Sequence, residues 1–388
     1  MDCRPFRFLH AADFRLDTPC FGVPNLPADL RRSFVDARYT AARRVFDTAI
    51  ERNIDFVILA GGLLDSQLPG LRGPLFLIEQ CSRLADRGIK VYWAGATFET
   101  QGRWPDYADV PSNLKLFAGD QTDRVHRQHG RPVARLIAVR EFSTTPHDSD
   151  MFTIAIHPRC TRAITGVDAR VDYWALGGQS ERDTQTLDGD VAHFPGSPQG
   201  STPNEQGPHG CSIVTVDANG RVSIEPVATD VVRWCHEELA LSSMTSWDEM
   251  LQDFEQRLTG LREELAATSS VEMAIINWTA TGGGLSMQRL LQPRFQEQLI
   301  RRLNERHQQQ SPALWTLEIE TVVDPHQLDD WQHEHSSLGA FLRELGQMSD
   351  SLCASHAPTP TPHLFNDALR KRVVNEGIHR LGKEPQPS

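Results

Sequence analysis

Short apolar runs alternate with amphipathic stretches through the first two hundred residues. Phe6–His10 reads as a strand, Ala28–Arg52 as a long helix with Arg along one face, and Asp55–Ala60 as a continuous apolar run of buried-strand type. Leu71–Arg87 reads as helix and Ile89–Ala94 as the next strand. Shorter strands follow at Leu114–Phe117, Ala134–Val139, Phe152–Ile156 and Tyr173–Leu176. A βαβαβ opening predicts a mainly parallel sheet covered by helices, with right-handed crossovers. Such sheets carry their chemistry in the loops at the carboxyl ends of the strands. Here those loops are Ala11–Pro19, Gly61–Ser66, Gly95–Gln101, His157–Cys160 and Gly177–Glu181.

Residues 182–210 are rich in Gly, Pro, Ser and Asp and read as an extended surface segment. Cys211–Val216 and Val222–Val227, joined by Asp217-Ala-Asn-Gly220, predict a hairpin that closes a first domain near residue 229. The rhythm then changes: a strand at Val231–Leu241, a helix at Ser246–Ala267, a strand at Glu272–Thr279, a helix at Ser286–Gln309 and a strand at Leu314–Thr321. This predicts a small α+β domain over 230–352. Residues 353–388 hold the Pro358–Pro362 linker and a short basic amphipathic stretch, Leu364–Leu381, with Arg370-Lys-Arg372. Thr281-Gly-Gly-Gly-Leu-Ser286 lacks the Lys-Ser/Thr ending of a phosphate loop, and reads as a tight turn whose Ser286 caps the next helix.

Composition narrows the class. A chain of 388 residues with 39% hydrophobic and 23% charged positions suits two globular domains, and no apolar stretch approaches a membrane span. The opening MDCRPFRFLHAAD shows no signal-peptide pattern, so the cytoplasm is the expected location. Seven scattered cysteines without a CxxC pair point to neither a zinc ribbon nor a disulfide framework. A net charge of −12 argues against tight autonomous DNA binding, which draws on a basic surface, but is compatible with a local basic groove or a DNA-binding partner.

Phe8-Leu-His-Ala-Ala-Asp-Phe-Arg-Leu-Asp17 resembles the FLHxADxHLD opening of the SbcD/YhaO branch of calcineurin-like metallophosphoesterases, DNA-repair exonucleases among them. Asp55–Asp65 resembles the strand and loop ending in GDLFD, Ile89–Gly95 the strand before GNHD, and Ala175–Ser180 the ALGHxH stretch. His193–Gly200, with Asn204–Gly210 after it, is similar to a stretch peculiar to the YhaO-like members. The resemblance spans roughly residues 4–350. It implies a calcineurin-like phosphoesterase sandwich of central β-sheets flanked by helices, four layers in all, followed by a small α+β capping domain. It also implies two manganese-like divalent metals that clamp a phosphodiester and activate water. The implied partners are DNA, a second copy of the chain and an SbcC-like coiled-coil ATPase, with no membrane involved.

The departures from the family pattern shape the functional expectation. Asp13 and His157 match metal-ligand positions, but Arg15 replaces the DxH histidine and Gly62 the metal-bridging Asp. Ala96 stands at the Asn position, Thr97 at the catalytic His position, and Gly178 and Ser180 at both histidines of GHxH. No catalytic residue and no cofactor are therefore expected, and a scaffold or regulatory subunit of a DNA-repair or end-processing complex is the leading reading. One alternative is an active metal-dependent exonuclease or phosphodiesterase with a site rebuilt from Asp13, His157 and Glu99 or Asp65. Another is a metal-free anion site at Arg15 beside Gly62 and Gly178. The bland readings are a loop cap for Asp13, a hydrogen-bonded structural role for His157, a helix cap for Asp65 and a solvated face for the Arg-rich helix.

Overall fold

The computed structural model describes residues 4–18, 22–64, 70–95, 109–117, 122–139, 151–160, 171–187, 190–242, 244–268, 271–323, 332–333, 337–354, 373–374 and 377. The chain divides into two compact units, Met1–Trp234 with Thr268–Met273, and Cys235–Ala267 with Ala274–Ser388.

The first unit is built on two six-stranded sheets. The elements run β1 (Phe6–Ala12), α1 (Ala28–Glu51), β2 (Phe56–Ala60), α2 (Arg72–Ala85), β3 (Lys90–Ala94) and β4 (Leu114–Leu116). Then come β5 (Asp123–Gln128), β6 (Arg131–Ala138), β7 (Phe152–His157), β8 (Tyr173–Leu176), β9 (Asp183–Leu187), β10 (Asp190–Phe194), β11 (Gly210–Val216) and β12 (Val222–Ala228). One sheet has the order β12-β11-β1-β2-β3-β4, the other β5-β6-β7-β8-β10-β9. β1, β2, β3 and β4 are parallel neighbours, as are β6, β7 and β8, whereas β11 pairs antiparallel with β1.

Period-two alternation explains how both faces of the first sheet are covered. Phe8, Phe56, Ile58 and Tyr92 face the second sheet, meeting Leu136, Phe152, Ile154, Ile156 and Tyr173 in an aromatic-rich core. Leu9, Val57, Leu59, Val91 and Trp93 face the other way, onto Val45, Phe46, Ala49, Phe76, Leu77 and Leu84 of the two helices. The rings of Phe8 and Phe56 stack at 5.2 Å, and Phe8 meets Tyr173 edge-on at the same distance. The outer face of the second sheet carries its own cluster, including Ile137, Cys160, Trp174, Leu176 and Phe194. Among the described residues the helices lie on the first sheet only, giving three of the four expected layers.

Residues 182–210 depart from the expectation of an exposed segment. They form β9 and β10, and Ser197, Gln199, Ser201 and His209 are buried. Their polar side chains are matched to backbone groups. Gln199 Oε1 accepts the N–H of Val231 at 2.9 Å and of Val232 at 3.2 Å, while its amide donates to Val232 and Gly200 carbonyls. Polar composition here marks an internal hydrogen-bond wedge rather than a surface loop. β5 was also absent from the expected elements, because Arg124 and Arg127 mask its pattern; its His126 is buried against Tyr92 and Phe56.

The remaining elements are β13 (Val232–Leu241), α3 (Trp247–Thr268), β14 (Met273–Gly282), α4 (Gly284–Leu290), α5 (Pro293–His307), β15 (Ala313–Val323) and α6 (Ser337–Ala354), with sheet order β13-β14-β15, and they belong to the second unit apart from Val232–Trp234, Thr268 and Met273. Met250, Phe254, Leu258, Leu261 and Leu265 recur at helical spacing and are buried, Phe254 lying edge-on to Trp278 at 4.7 Å. The single helix expected over 286–309 is two, because Pro293 opens a new helix where its missing N–H is harmless. Ser286 caps nothing: the first of the two begins at Gly284, and the Ser286 hydroxyl donates to the Thr245 carbonyl at 2.6 Å. The linker Pro358–Pro362 and Arg370-Lys-Arg372 lie outside the described residues.

Candidate functional site

Parallel strands deliver four loops to one pole of the first unit: Asp13 follows β1, Gly61-Gly62 follow β2, Pro158-Arg159 follow β7 and Gly177-Gly178 follow β8. The two sheets meet there backbone to backbone. A Cβ on Gly61 would stand 1.9 Å from the Pro158 carbonyl oxygen, and one on Gly177 would stand 2.0 Å from that of Ala60. Gly61, Gly62 and Gly178 have φ of 66°, 52° and 103°, conformations that glycine alone adopts freely. The glycines are there for this close approach.

Asp13 is buried, with φ at 54°, and its Oδ2 accepts the Gly178 N–H at 2.6 Å. The carboxylate thus ties the loop after β1 to the loop after β8, across the sandwich. A Cβ on Gly62 would lie 2.2 Å from Asp13 Oδ1, so the carboxylate fills the space a side chain at position 62 would need. Arg15 is also left-handed, with φ of 47°. Its N–H donates to the Gly62 carbonyl at 2.9 Å, and its own carbonyl accepts Arg38 Nη1 and the Thr18 N–H, each at 3.0 Å. The Arg15 side chain is 39% exposed, with Nη1 4.0 Å from Glu205 Oε1. Glu205 is itself anchored, its Oε2 accepting the Ser201 N–H at 2.6 Å.

His157 is buried at the end of β7 and its Nδ1 accepts the Arg159 N–H at 3.3 Å, a local structural bond. Ser180 is half-buried, and its carbonyl accepts the Ser197 N–H at 2.9 Å. Asp13, Arg15, Gly62, His157, Gly178 and Ser180 therefore lie on loops of one pole. Ala96, Thr97, Glu99 and Asp65 lie outside the described residues.

Behind this pole, between the sheets, runs a buried histidine network. His10 Nδ1 shares a hydrogen bond with the Tyr173 hydroxyl at 3.0 Å, and His193 bonds Thr184 and Ser212, both at 2.8 Å. Burial, with His193 beside it, holds the His10 pKa well below the ordinary value; burial together with Arg182 lowers His193 to about 4. Both are neutral at physiological pH.

The donors among the described residues do not fit a two-metal centre. Among the described residues no three His, Cys, Asp or Glu side chains form a group able to hold an ion. A pair of divalent ions needs several oxygen and nitrogen donors each, with a carboxylate between them. Here the bridging position has no side chain, and Asp13 is turned to an amide. Among the described residues the pole offers hydrogen bonding and a half-exposed guanidinium. Sequence reasoning missed Glu205 and Arg38. The signal for Glu205 lay in the Asn204-Glu-Gln stretch, but its burial beside Arg15 was hidden by the polar composition around it.

No family model matches the chain. It is 26% identical over 281 residues to the metallophosphoesterase YhaO of Bacillus subtilis (strain 168), itself uncharacterised, covering 66% of this chain and 68% of that protein. Among solved structures, TT1561 of Thermus thermophilus aligns with a TM-score of 0.33 at 10% identity, covering 57% of this chain and 98% of that one. Among the described residues no helix is long and apolar enough to cross a membrane. The facing sheets and the helices over one of them make a mixed α/β fold consistent with a calcineurin-like phosphoesterase, and the chain is similar in sequence to the metallophosphoesterase YhaO.

Proposed function

We propose that this chain is a phosphoesterase-fold protein of DNA repair or DNA-end processing that has given up two-metal hydrolysis and acts as a scaffold or regulatory subunit. One observation carries the loss of hydrolysis: the Asp13 carboxylate occupies the space beside Gly62 and holds the Gly178 N–H. The residue that elsewhere begins a metal site here fastens two loops together. The DNA setting rests on the SbcD/YhaO resemblance of the sequence motifs, as do the proposed partners: DNA, an SbcC-like coiled-coil ATPase and a second copy of the chain. A cytoplasmic location belongs to the same reading.

The Arg-rich helix supports a scaffold more than a DNA-binding face. Arg38 is buried, Arg44 donates to the carbonyls of Thr229 and Asp230 and pairs with Glu272, and Arg52 pairs with Glu225. The test is hydrolysis of bis(p-nitrophenyl) phosphate and of linear DNA, with manganese and then with chelator. Turnover at the no-enzyme rate in both supports the proposal. Chelator-sensitive turnover abolished by both Asp13→Ala and His157→Ala overturns it in favour of an altered metal site.

A further inference from the structure

We propose that the second unit carries an acid-released clasp: neutral His307 holds α3 against the end of α5 and the turn before β15, and protonated His307 lets Arg262 go. His307 is the last residue of α5 and is buried. Its Nδ1 lies 2.8 Å from Arg262 Nη2, and its Nε2 lies 2.8 Å from Glu255 Oε2. A guanidinium only donates, so Nδ1 must accept, and the ring proton must sit on Nε2 and be donated to Glu255. The surroundings thereby fix one neutral tautomer. They leave no place for a second proton, because an N–H at Nδ1 would point at a cation.

The clasp joins three elements. Glu255 and Arg262 come from α3, and Arg306 of α5 donates to Glu255 Oε1 at 3.2 Å. Arg262 Nε also donates to the Pro312 carbonyl in the turn before β15, at 3.3 Å. Glu255, Arg262 and Arg306 are the charged groups around the ring among the described residues; Glu318 and Glu320 of β15 are exposed. Burial holds the His307 pKa below its ordinary 6.5, opposed by Glu255 and helped by Arg262 and Arg306. An opened chain takes up the proton near that ordinary value while the clasped chain resists it. The clasp is therefore closed above about pH 6.5 and loses its hold as the pH falls.

Asn304 decides which part is released. One turn before His307, its Oδ1 accepts the Thr316 N–H at 2.7 Å and its amide donates to the Thr316 carbonyl at 2.9 Å. Neither bond involves a group that titrates in this range, so α5 stays fastened to β15. Release frees Arg262 and the Pro312 carbonyl, and loosens the seam between α3 and the turn leading into β15. The buried Phe254, Leu258 and Leu261 keep α3 in the core of the unit, so the change is local.

The test is nitrogen-15 NMR of the full chain from pH 7 to pH 5, reading both the His307 ring and backbone amide exchange. The proposal expects a ring proton on Nε2 at neutral pH and a titration midpoint below 6.5. Once the intrinsic pH dependence of exchange is removed, amides of residues 308–315 should exchange at least about fivefold faster at pH 5, while the Thr316 amide stays protected. His307→Gln can accept from Arg262 and donate to Glu255 without titrating, and should abolish that difference. Arg262→Met, which removes the opposing cation, should raise the His307 midpoint and tests the clasp independently of the glutamine variant's folding. A ring proton on Nδ1, a midpoint at or above 6.5, a midpoint unmoved by Arg262→Met, or an exchange difference that survives His307→Gln overturns the proposal.

Discussion

Gly62 and Asp13 define the account at the scale of single residues. Placing a carboxylate at position 62 should not build a metal site. Gly62→Asp would force a Cβ to 2.2 Å from Asp13 Oδ1 and place a non-glycine residue at φ 52°. We expect a loss of at least about 2 kcal/mol of stability from overpacking and backbone strain together, read by urea unfolding, with no manganese-dependent turnover gained. Asp13→Ala should leave the part-buried Gly178 N–H without its acceptor, at about 1 kcal/mol by the same measurement, and should change no phosphodiester turnover. A drop in turnover with unchanged stability would give Asp13 a catalytic role instead.

At the scale of elements, the wedge after β10 and the buried histidines between the sheets carry the predictions. Gln199 satisfies two consecutive backbone N–H groups as the chain enters β13. Gln199→Ala should therefore cost about 1–3 kcal/mol in urea unfolding, although the residue lies in a stretch that looks like a loop. Burial lowers both His126 and His193 to about 4, with Lys90 and Arg182 respectively adding to the effect. In the unfolded chain each titrates near its ordinary value of 6.5. Between those values the unfolded state binds more protons, so stability is full above about pH 6.5 and falls as pH drops towards 4. Each tenfold difference in proton affinity between the folded and unfolded chain is worth about 1.4 kcal/mol, so the two histidines together should remove several kcal/mol over that window. Denaturant midpoints measured from pH 7 to pH 4 check this, and a profile made shallower in the His126→Phe, His193→Gln double variant would assign that part of the slope to them, His10 and His307 keeping their own.

The same scale shows what was legible in the sequence. Continuous apolar runs such as Phe56–Ala60 announce buried parallel strands, because both faces of those strands are covered. The Asp217-Ala-Asn-Gly220 turn was legible for a local reason: Asp217 Oδ1 accepts the N–H of Asn219 and of Arg221, both at 2.8 Å, and Gly220 takes φ of 78°. The wedge of residues 193–210 was not legible, because burial of Ser197, Gln199 and His209 depends on partners far along the chain. At the candidate site, that Gly62 and Gly178 bring no side-chain donor could be read from residue identity alone. That Asp13 would turn to Gly178, and Glu205 would approach Arg15, depends on how the loops pack across the two sheets.

On the scale of the molecule, the chain has two facing sheets consistent with a phosphoesterase fold, and the proposed function gives the pole of that fold a non-hydrolytic role. The aromatic core between the sheets and the helix-covered face of the first sheet need no metal to hold them. Metal removal should therefore leave the fold intact: we expect the melting temperature to be the same in manganese and in chelator, within about 1 °C, since a ligand stabilises only in proportion to its binding of the native state. A rise of several degrees with manganese would reveal an ion site. The most direct measurement of the central claim remains hydrolysis of bis(p-nitrophenyl) phosphate and linear DNA by the purified chain, with manganese and with chelator. The account predicts no turnover above the no-enzyme rate in either condition. Manganese-dependent turnover that disappears with chelator and in both Asp13→Ala and His157→Ala would contradict it.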